Sequence, residues 1–475
     1  MKKVTFIIIC LLATICVFGQ KEKKTVLKAI ETKKDKYKSI ALQIWNWAEV
    51  GYQEVKSSGL LKETLKAEGF AIEEGVADIP TAFVAEFGQG EPVIAVLAEF
   101  DALPGVSQKA IPSKEPVIEG GAGHACGHHL FGTASVAAGI EIKNWLENSN
   151  SKGTIRVYGT PAEEGGAGKV YMVREGLFDD VDVALHWHPS SQNGANPGYS
   201  LANKSAKFRF YGEASHAAAA PERGKSALDG VEAMNYMVNL LREHVPADTR
   251  IHYVITSGGE APNVVPAFAE VFYYVGNPKV QNVKEIFEKV VNAAEGAAKG
   301  TQTEMKYEVI HGLYNLLPNE TLAKAMHQNL ELVGGVNYSA EEKNFAEKIQ
   351  STYKGNYPLS MAENIMPLSN SNGGSSGSTD VGDVSWLVPT TGMGAATWVP
   401  GTSAHTWQAV AAGGSSIGIK GMMVAAKTIA LTAIDIFKNP SIADKAKQEL
   451  NKRQGNSFVY EALIGDRNPP LDYRK

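Results

Sequence analysis

The segment His124-Ala125-Cys126-Gly127-His128-His129 sets a thiol among imidazoles in a glycine-containing turn. Cys126 and His128 are spaced so that both side chains can reach one point, and thiolate with imidazole is a ligand pair favoured by zinc and other borderline metals. A buried structural cysteine beside a capping histidine is the competing reading of this segment taken alone. Pro161-Ala162-Glu163-Glu164-Gly165-Gly166 follows an expected strand and puts two adjacent carboxylates at its end, where α/β folds gather their functional loops. Adjacent acids in a loop point in different directions, so one can ligate a metal while its neighbour exchanges a proton with water. A solvated acidic loop, or a helix N-terminus, is the plain alternative. His186-Trp187-His188-Pro189 closes the next strand; residues two apart share a face, and Pro189 marks the strand's end at His188. His405, opening the last long helix, belongs to a type that more often caps or packs, but it adds a further donor. A thiolate, imidazoles and a carboxylate together are what a one- or two-metal hydrolytic site requires: the pKa of a bound water must fall while one position stays open.

The elements that must position these residues are legible from periodicity. Val26, Leu27, Ile30, Tyr37, Ile40, Ile44 and Trp47 recur at helical spacing, and Leu60–Phe70 reads as another helix. Thr81–Phe87 and Pro92–Phe100 read as strands, the second a continuous apolar run of the kind buried in a mostly parallel sheet. Leu130–Leu146 is an expected helix rich in small residues, and Thr154–Gly159 and Val181–Trp187 are further strands. This alternation predicts an α/β fold, a mostly parallel sheet flanked by helices. From Lys207 to Ile310 the order becomes β-α-β-β-α-β, that of a ferredoxin-like split βαβ unit. The reading is a catalytic domain over residues 20–200 and 313–475, with an inserted α+β lid or dimerisation domain over residues 201–312 hinged at Pro197-Gly198 and His311-Gly312. Beyond it, Glu320–Val333 and Glu341–Tyr353 read as helices, Ser369–Ser378 as a Ser/Gly-rich loop closed by Asp380 and Asp383, and Thr406–Phe437 as helix broken at Gly413-Gly414.

Lys2 and Lys3 precede an apolar run from Val4 to Phe18, and Gly19 supplies a small residue before a charged stretch. Residues 1–19 therefore read as a signal peptide, with export to the periplasm or outside the cell; an uncleaved anchor is the alternative. Cys10 and Cys16 lie inside this leader, so Cys126 has no partner for a disulfide. The 475 residues are 44% hydrophobic and 20% charged, with a formal net charge of -5, which suits a globular chain and argues against nucleic acid as a partner.

Taken together, these segments resemble the metal-dependent amidohydrolases related to aminoacylase and carboxypeptidase G, in the subgroup of p-aminobenzoyl-glutamate hydrolase, hippurate hydrolase and auxin-conjugate hydrolases. The resemblance rests on Ala98-Glu-Phe-Asp-Ala-Leu-Pro-Gly105, Gly123-His-Ala-Cys-Gly-His128, Gly159-Thr-Pro-Ala-Glu-Glu-Gly-Gly166, Gly212-Glu-Ala-Ser-His-Ala-Ala-Ala-Ala-Pro221, Gly259-Glu-Ala-Pro-Asn-Val-Val-Pro266 and Ser378-Thr-Asp-Val-Gly-Asp-Val-Ser-Trp386. It implies two divalent ions, zinc or manganese, with Cys126 bridging and His128, Glu164, His188 and His405 completing the set. It further implies Glu163 as general acid/base and Asp101 as the carboxylate orienting a ligand imidazole. His216 would stabilise the oxyanion, in many relatives across a dimer interface, and Asn263 would bind the substrate carbonyl or carboxylate. A homodimer acting on a small N-acyl amino acid or dipeptide is the implied assembly. His129, Ser257 and Gly276 depart from the family pattern; Gly276 stands where an arginine is expected, which bears on glutamate-like specificity.

The leading expectation is an exported amidohydrolase that cleaves N-acyl or N-aroyl amino acids such as p-aminobenzoyl-glutamate. A dipeptidase or carboxypeptidase of Xaa-Arg type shares the same chemistry. A catalytically silent two-domain peptide-binding protein is the alternative from another class, and a redox role for Cys126 lacks a resolving cysteine.

Overall fold

The computed structural model describes residues 21–195, 198, 200–368 and 377–474. The expected leader, Pro197 and residues 369–376 of the Ser/Gly-rich loop lie outside the described residues.

The first described elements are helical residues 21–32 and helix α1 (Lys34–Trp47), which turns Tyr37, Ile40, Ala41 and Ile44 inward. Next come α2 (Val55–Ala67), β1 (Ala71–Glu74), β2 (Phe83–Gln89), β3 (Val93–Ala98), α3 (His128–Asn148), β4 (Gly153–Gly159), α4 (Gly168–Arg174) and β5 (Val183–Ser190). After an interruption described below, the chain returns through α7 (Glu320–Val333), α8 (Ala340–Gln350), α9 (Val381–Ser385), β10 (Thr390–Ala396), α10 (Trp407–Gly413), α11 (Ser416–Lys438) and α12 (Ser441–Gln454). Six strands form one sheet in the order β1-β2-β4-β3-β5-β10. The β4-β3, β3-β5 and β5-β10 pairings are parallel, and the two toward β1 are antiparallel.

Both faces of this sheet are covered, which is why β3 reads as an unbroken apolar run: all six of its residues are buried. On one face, α3 lies close because it is rich in small residues. A Cβ on Gly132 would meet the Glu99 carbonyl oxygen at 2.7 Å, and one on Gly139 would drive into Val157. Helix α11 is long and apolar enough to span a membrane by composition alone, yet 89% of its most apolar window is buried inside this protein; it is a core helix packed on α3 and α7.

Between β5 and α7 stand β6 (Ala202–Tyr211), α5 (Ala227–Leu241), β7 (Arg250–Ser257), β8 (Phe268–Asn277), α6 (Val280–Thr301) and β9 (Glu304–Leu313). Their sheet runs β7-β8-β6-β9, antiparallel throughout, and Phe208, Tyr273, Val231, Met234, Phe287 and Val290 belong to a core of its own. The fold is thus α/β, a mostly parallel sheet flanked by helices, with a ferredoxin-like α+β unit inserted in it.

Three local expectations need correction. Strand β5 does not end at His188 but continues through Pro189 to Ser190, paired with Ala395 and Ala396 of β10. Ala184 N–H donates toward β10 and Ser190 C=O accepts from that side, so the alternate residue Pro189 turns its missing N–H toward β3, whose pairing has ended at Leu185. Strand β10 itself was not expected: Thr390–Ala396 has no apolar/polar alternation and contains two glycines. Gly392 is needed there because any Cβ would collide with the His186 ring. Finally, His405 does not open the last long helix; it precedes the short, separate α10, whose N-cap is Thr406.

Candidate active site

The C-terminal ends of the parallel strands converge on one cleft, as is general for open α/β sheets. β3 delivers Glu99 and Asp101, β4 leads into the loop carrying Glu163 and Glu164, and β5 carries His186 and His188. Gly127 supplies the turn that joins Cys126 to α3: its φ is 80°, and a Cβ would meet the Pro189 ring at 2.8 Å.

Three clusters of donor atoms result. Cys126, His128 and His188 offer ligand atoms within 4.8 Å of one another; so do Cys126, Glu164 and His405; and so do Glu99, His128 and Glu163. Cys126 is shared by the first two. Its Sγ is 3.4 Å from His188 Nε2, and Glu164 Oε1 is 3.1 Å from His405 Nε2. The imidazoles are held ready for a cation. His128 Nδ1 donates to Asp101 Oδ1 at 2.7 Å and His188 Nδ1 donates to the Pro189 carbonyl at 2.7 Å, so that each ring, once neutral, turns its Nε2 lone pair to the cleft. His128 Nε2 and Glu99 Oε2 are buried and face each other at 3.1 Å, and Glu164 Oε1 is buried with His405 Nε2 as its neighbour, so these atoms meet only other members of the cluster. Nitrogen, oxygen and sulfur donors converging on one space and meeting mainly one another are the donor set of a divalent cation site, so the residues present fit metal.

The electrostatics follow from burial. The Glu163 carboxyl is pushed well above its ordinary range by burial and then by the charges of Glu99 and Glu164, which favours its protonated form. Burial raises the Cys126 thiol, so only a cation would make it a thiolate here. Burial would also raise Asp101, but His128 and the Glu164 N–H, which donates to Oδ2 at 2.8 Å, outweigh it and hold the carboxyl below its usual value. His186, by contrast, is driven down to about 3 by burial and has no partner for Nε2; it lines the cleft but joins no donor cluster.

Of the residues singled out in the sequence, Asp101, Cys126, His128, Glu163, Glu164, His188 and His405 come together. His216 and Asn263 do not join this cleft within their own chain. Both are exposed on the inserted unit, where Ala217 N–H donates to the Asn263 carbonyl. His216 Nδ1 accepts from the amides of Ala218 (3.2 Å) and Ala219 (3.1 Å), so its proton sits on Nε2, facing outward as a donor.

Sequence reasoning passed over three charged groups. Glu99 shares the face of Asp101 by two-residue spacing at a strand end, a signal that was available. Lys169, fully buried, places Nζ 2.7 Å from Glu99 Oε1 and 2.7 Å from Asp380 Oδ1; a lone lysine carries no sequence mark of burial. Glu54, raised to about 8 by burial and by the charge of Asp101, accepts the Ala162 N–H at 2.8 Å and so braces the start of the Glu163–Glu164 loop. A cavity of about 580 Å³ opens over the donors, with Phe131, Leu316, Met366 and Met393 as apolar walls and Ser190, Gln192 and Ser378 as polar ones.

Comparison with known proteins agrees with this geometry. The family model described as peptidase family M20/M25/M40 matches residues 95–406. The chain is 42% identical over 447 residues to one of the p-aminobenzoyl-glutamate hydrolase subunits of Escherichia coli strain K12, covering 89% of this chain and 93% of that protein. It is 29% identical over 442 residues to Xaa-Arg dipeptidase of Mus musculus, covering 90% and 91%. Among solved structures, a dinuclear metal-binding peptidase of the M20 family from Bacillus subtilis superposes with a TM-score of 0.58 at 17% identity, over 86% of this chain and 99% of that one. With the model spanning more than half the chain and the Escherichia coli relative aligned over nearly all of it, the chain belongs to peptidase family M20/M25/M40 and is a metal-dependent hydrolase acting on amide bonds.

Proposed function

We propose that this protein cleaves N-acyl or N-aroyl amino acids of the p-aminobenzoyl-glutamate type, using two divalent cations, zinc or manganese, both of which Cys126 would help to hold. The observation that carries this reading is the sharing itself: one thiol serves two donor triads, with Glu163 beside them. His128 and His188 would hold one ion and Glu164 and His405 the other. When bound, the pair supplies Lewis acidity toward the amide carbonyl and lowers the pKa of water.

The remaining steps belong to the chain's own residues. Glu163 takes the proton from the attacking water and returns it to the departing amine, a role its raised pKa supports. Asp101 keeps the proton of His128 on Nδ1, so that ring stays a ligand. His216, with its proton held on Nε2, is suited to donate to the oxyanion; reaching a cleft requires a second chain or closure of the inserted unit, residues 201–312. We take a homodimer through that unit as the assembly. Val254 and Ile255 on edge strand β7, with Tyr236 and Leu240 on α5, expose apolar surface that supports it. The Escherichia coli relative is named as one subunit of its enzyme, which makes a heteromeric assembly the other outcome of a mass measurement. The leader at residues 1–19 supports export, and an exported form beginning near Gln20 is the expected product.

The deciding experiment assays the purified mature protein against p-aminobenzoyl-glutamate, hippurate and a dipeptide ending in arginine, before and after chelation and re-addition of Zn2+ or Mn2+. Chelator-sensitive, metal-restored turnover of the aroyl substrates is expected. Turnover of the dipeptide alone favours the Xaa-Arg reading, which the resemblance to the mouse dipeptidase supports.

A further inference from the structure

Beyond α12 the chain runs from Phe458 to Arg474 as irregular backbone, outside the stretch matched by the family model, yet it is tied down repeatedly. Tyr460 Oη donates to Asp383 Oδ1 at 2.7 Å. Leu463 covers Gly312 at the end of β9, where a Cβ would come within 2.6 Å of the leucine Cβ. Arg467 donates to the carbonyls of Val309 and Ile310 on β9, and Arg174 from α4 donates back to the carbonyls of Gly465 (3.0 Å) and Arg467 (2.7 Å). Gln53 Nε2 donates to the Leu471 carbonyl at 2.8 Å.

Tyr473 and Arg474 then reach the catalytic loop. Tyr473 Oη and Arg474 Nη2 both donate to the backbone carbonyl of Glu164, each at 3.0 Å. The Tyr473 ring packs edge-on against Tyr52, whose own hydroxyl donates to the Gly166 carbonyl at 2.7 Å. Gly51 leaves room for this approach, since a Cβ there would collide with Tyr473 Oη, while Gly165 supplies the φ of 91° that the loop takes beside it. The Glu164 residue is thereby pinned at both ends, its N–H on Asp101 and its C=O on two donors 309 and 310 positions away in sequence. Rotation of either peptide plane would swing the Glu164 carboxylate off His405 and Cys126 and carry Glu163 with it.

We infer that Tyr473 and Arg474 are positioning residues of the hydrolytic site, and that the segment Phe458–Arg474 is a strap tying the Glu163–Glu164 loop to the base of the inserted unit at β9. The inference takes from the proposed function only the role of Glu164 as a ligand.

Three variants test it against the parent: deletion of residues 472–475, the double substitution Tyr473→Phe with Arg474→Ala, and Arg474→Lys alone. The readouts are hydrogen–deuterium exchange of peptides covering residues 160–168, the affinity of the metal-stripped protein for Zn2+, and kcat and KM. The deletion and the double substitution should speed exchange in that loop, weaken Zn2+ binding by about tenfold or more and lower kcat with KM nearly unchanged, as loss of a partner behind a metal ligand commonly does. Arg474→Lys, which keeps a cationic donor, should recover most of the loss. Unchanged exchange across residues 160–168 in the double variant overturns the strap. Faster exchange with unaltered Zn2+ affinity upholds the strap and instead removes Glu164 from the ligand set. If the deletion does not fold, the double substitution, which removes only two donors, decides.

Discussion

Lys169 Nζ lies 2.7 Å from Glu99 Oε1, and both side chains are buried. The ammonium also reaches Asp380 Oδ1 at 2.7 Å, and its backbone N–H donates to Asp380 Oδ2 at 3.0 Å. Burial works against this charge, but Asp380, Glu99 and Glu163 outweigh it and keep the lysine protonated. Lys169 thus does two things: it turns the other oxygen of Glu99 toward His128, 3.1 Å from Nε2, and it ties the cavity wall beside Asp380 to the loop of Glu163. Lys169→Met leaves two buried carboxylates without a counter-charge, a loss of about 3–5 kcal/mol for a broken buried pair. Denaturant unfolding of the variant against the parent measures it, and a loss below about 1 kcal/mol removes the triad from the account of stability.

Glu163→Gln keeps the shape of the side chain and removes its capacity to carry a proton. Zn2+ content and melting temperature should hold, while kcat falls at least ~100-fold, the scale of a lost general acid/base. Retained turnover in the metal-loaded variant would take Glu163 out of the mechanism.

Asp101→Asn tests the orientation of a ligand. The amide can present its N–H to His128 Nδ1, moving the ring proton to Nε2 and turning the ligating nitrogen into a donor. Zn2+ affinity should fall about 10–100-fold, as is usual for loss of the carboxylate behind a ligand imidazole. Competition against a chromophoric chelator reads this directly, and equal affinities would contradict it.

Cation binding must ionise a thiol that burial otherwise keeps protonated. Calorimetric titration of the metal-stripped protein with Zn2+, repeated in buffers of different ionisation enthalpy, should report release of about one proton per protein or more. Cys126→Ser should reduce that release along with affinity.

Asp383 sits in α9, outside the donor clusters. Burial, together with the charge of Asp380, lifts its carboxyl to about 7 from an ordinary 3.8, against hydrogen bonds from the Tyr314 N–H and the Tyr460 hydroxyl. Between those two values the folded protein holds the proton more tightly than the unfolded chain does, so this group subtracts stability as pH rises through that window. Melting temperatures from about pH 4 to pH 8 should therefore decline less steeply for Asp383→Asn than for the parent; parallel curves would dismiss the group as a contributor.

What the amino-acid order determined is what local periodicity can encode. The apolar run of β3, the small-residue face of α3 and the β-α-β-β-α-β order of the inserted unit were all legible, because strand and helix periods leave marks within ten or twenty residues. The chemistry-bearing motifs were legible for the same reason: thiol, imidazole and paired acids each sit in a short segment at an element's end. Tertiary structure decided the rest. β10 carries no alternation and exists as a strand because β5 offers it a parallel partner and Gly392 clears the His186 ring. Lys169 looks like any solvated lysine until Glu99 and Asp380, remote from it in sequence, close around it. Arg474 acquires a role only because the chain returns to the Glu164 carbonyl. Each of these depends on contacts between residues remote in sequence, and it is the packed core bringing strand ends together that places one thiol in two clusters of donor atoms.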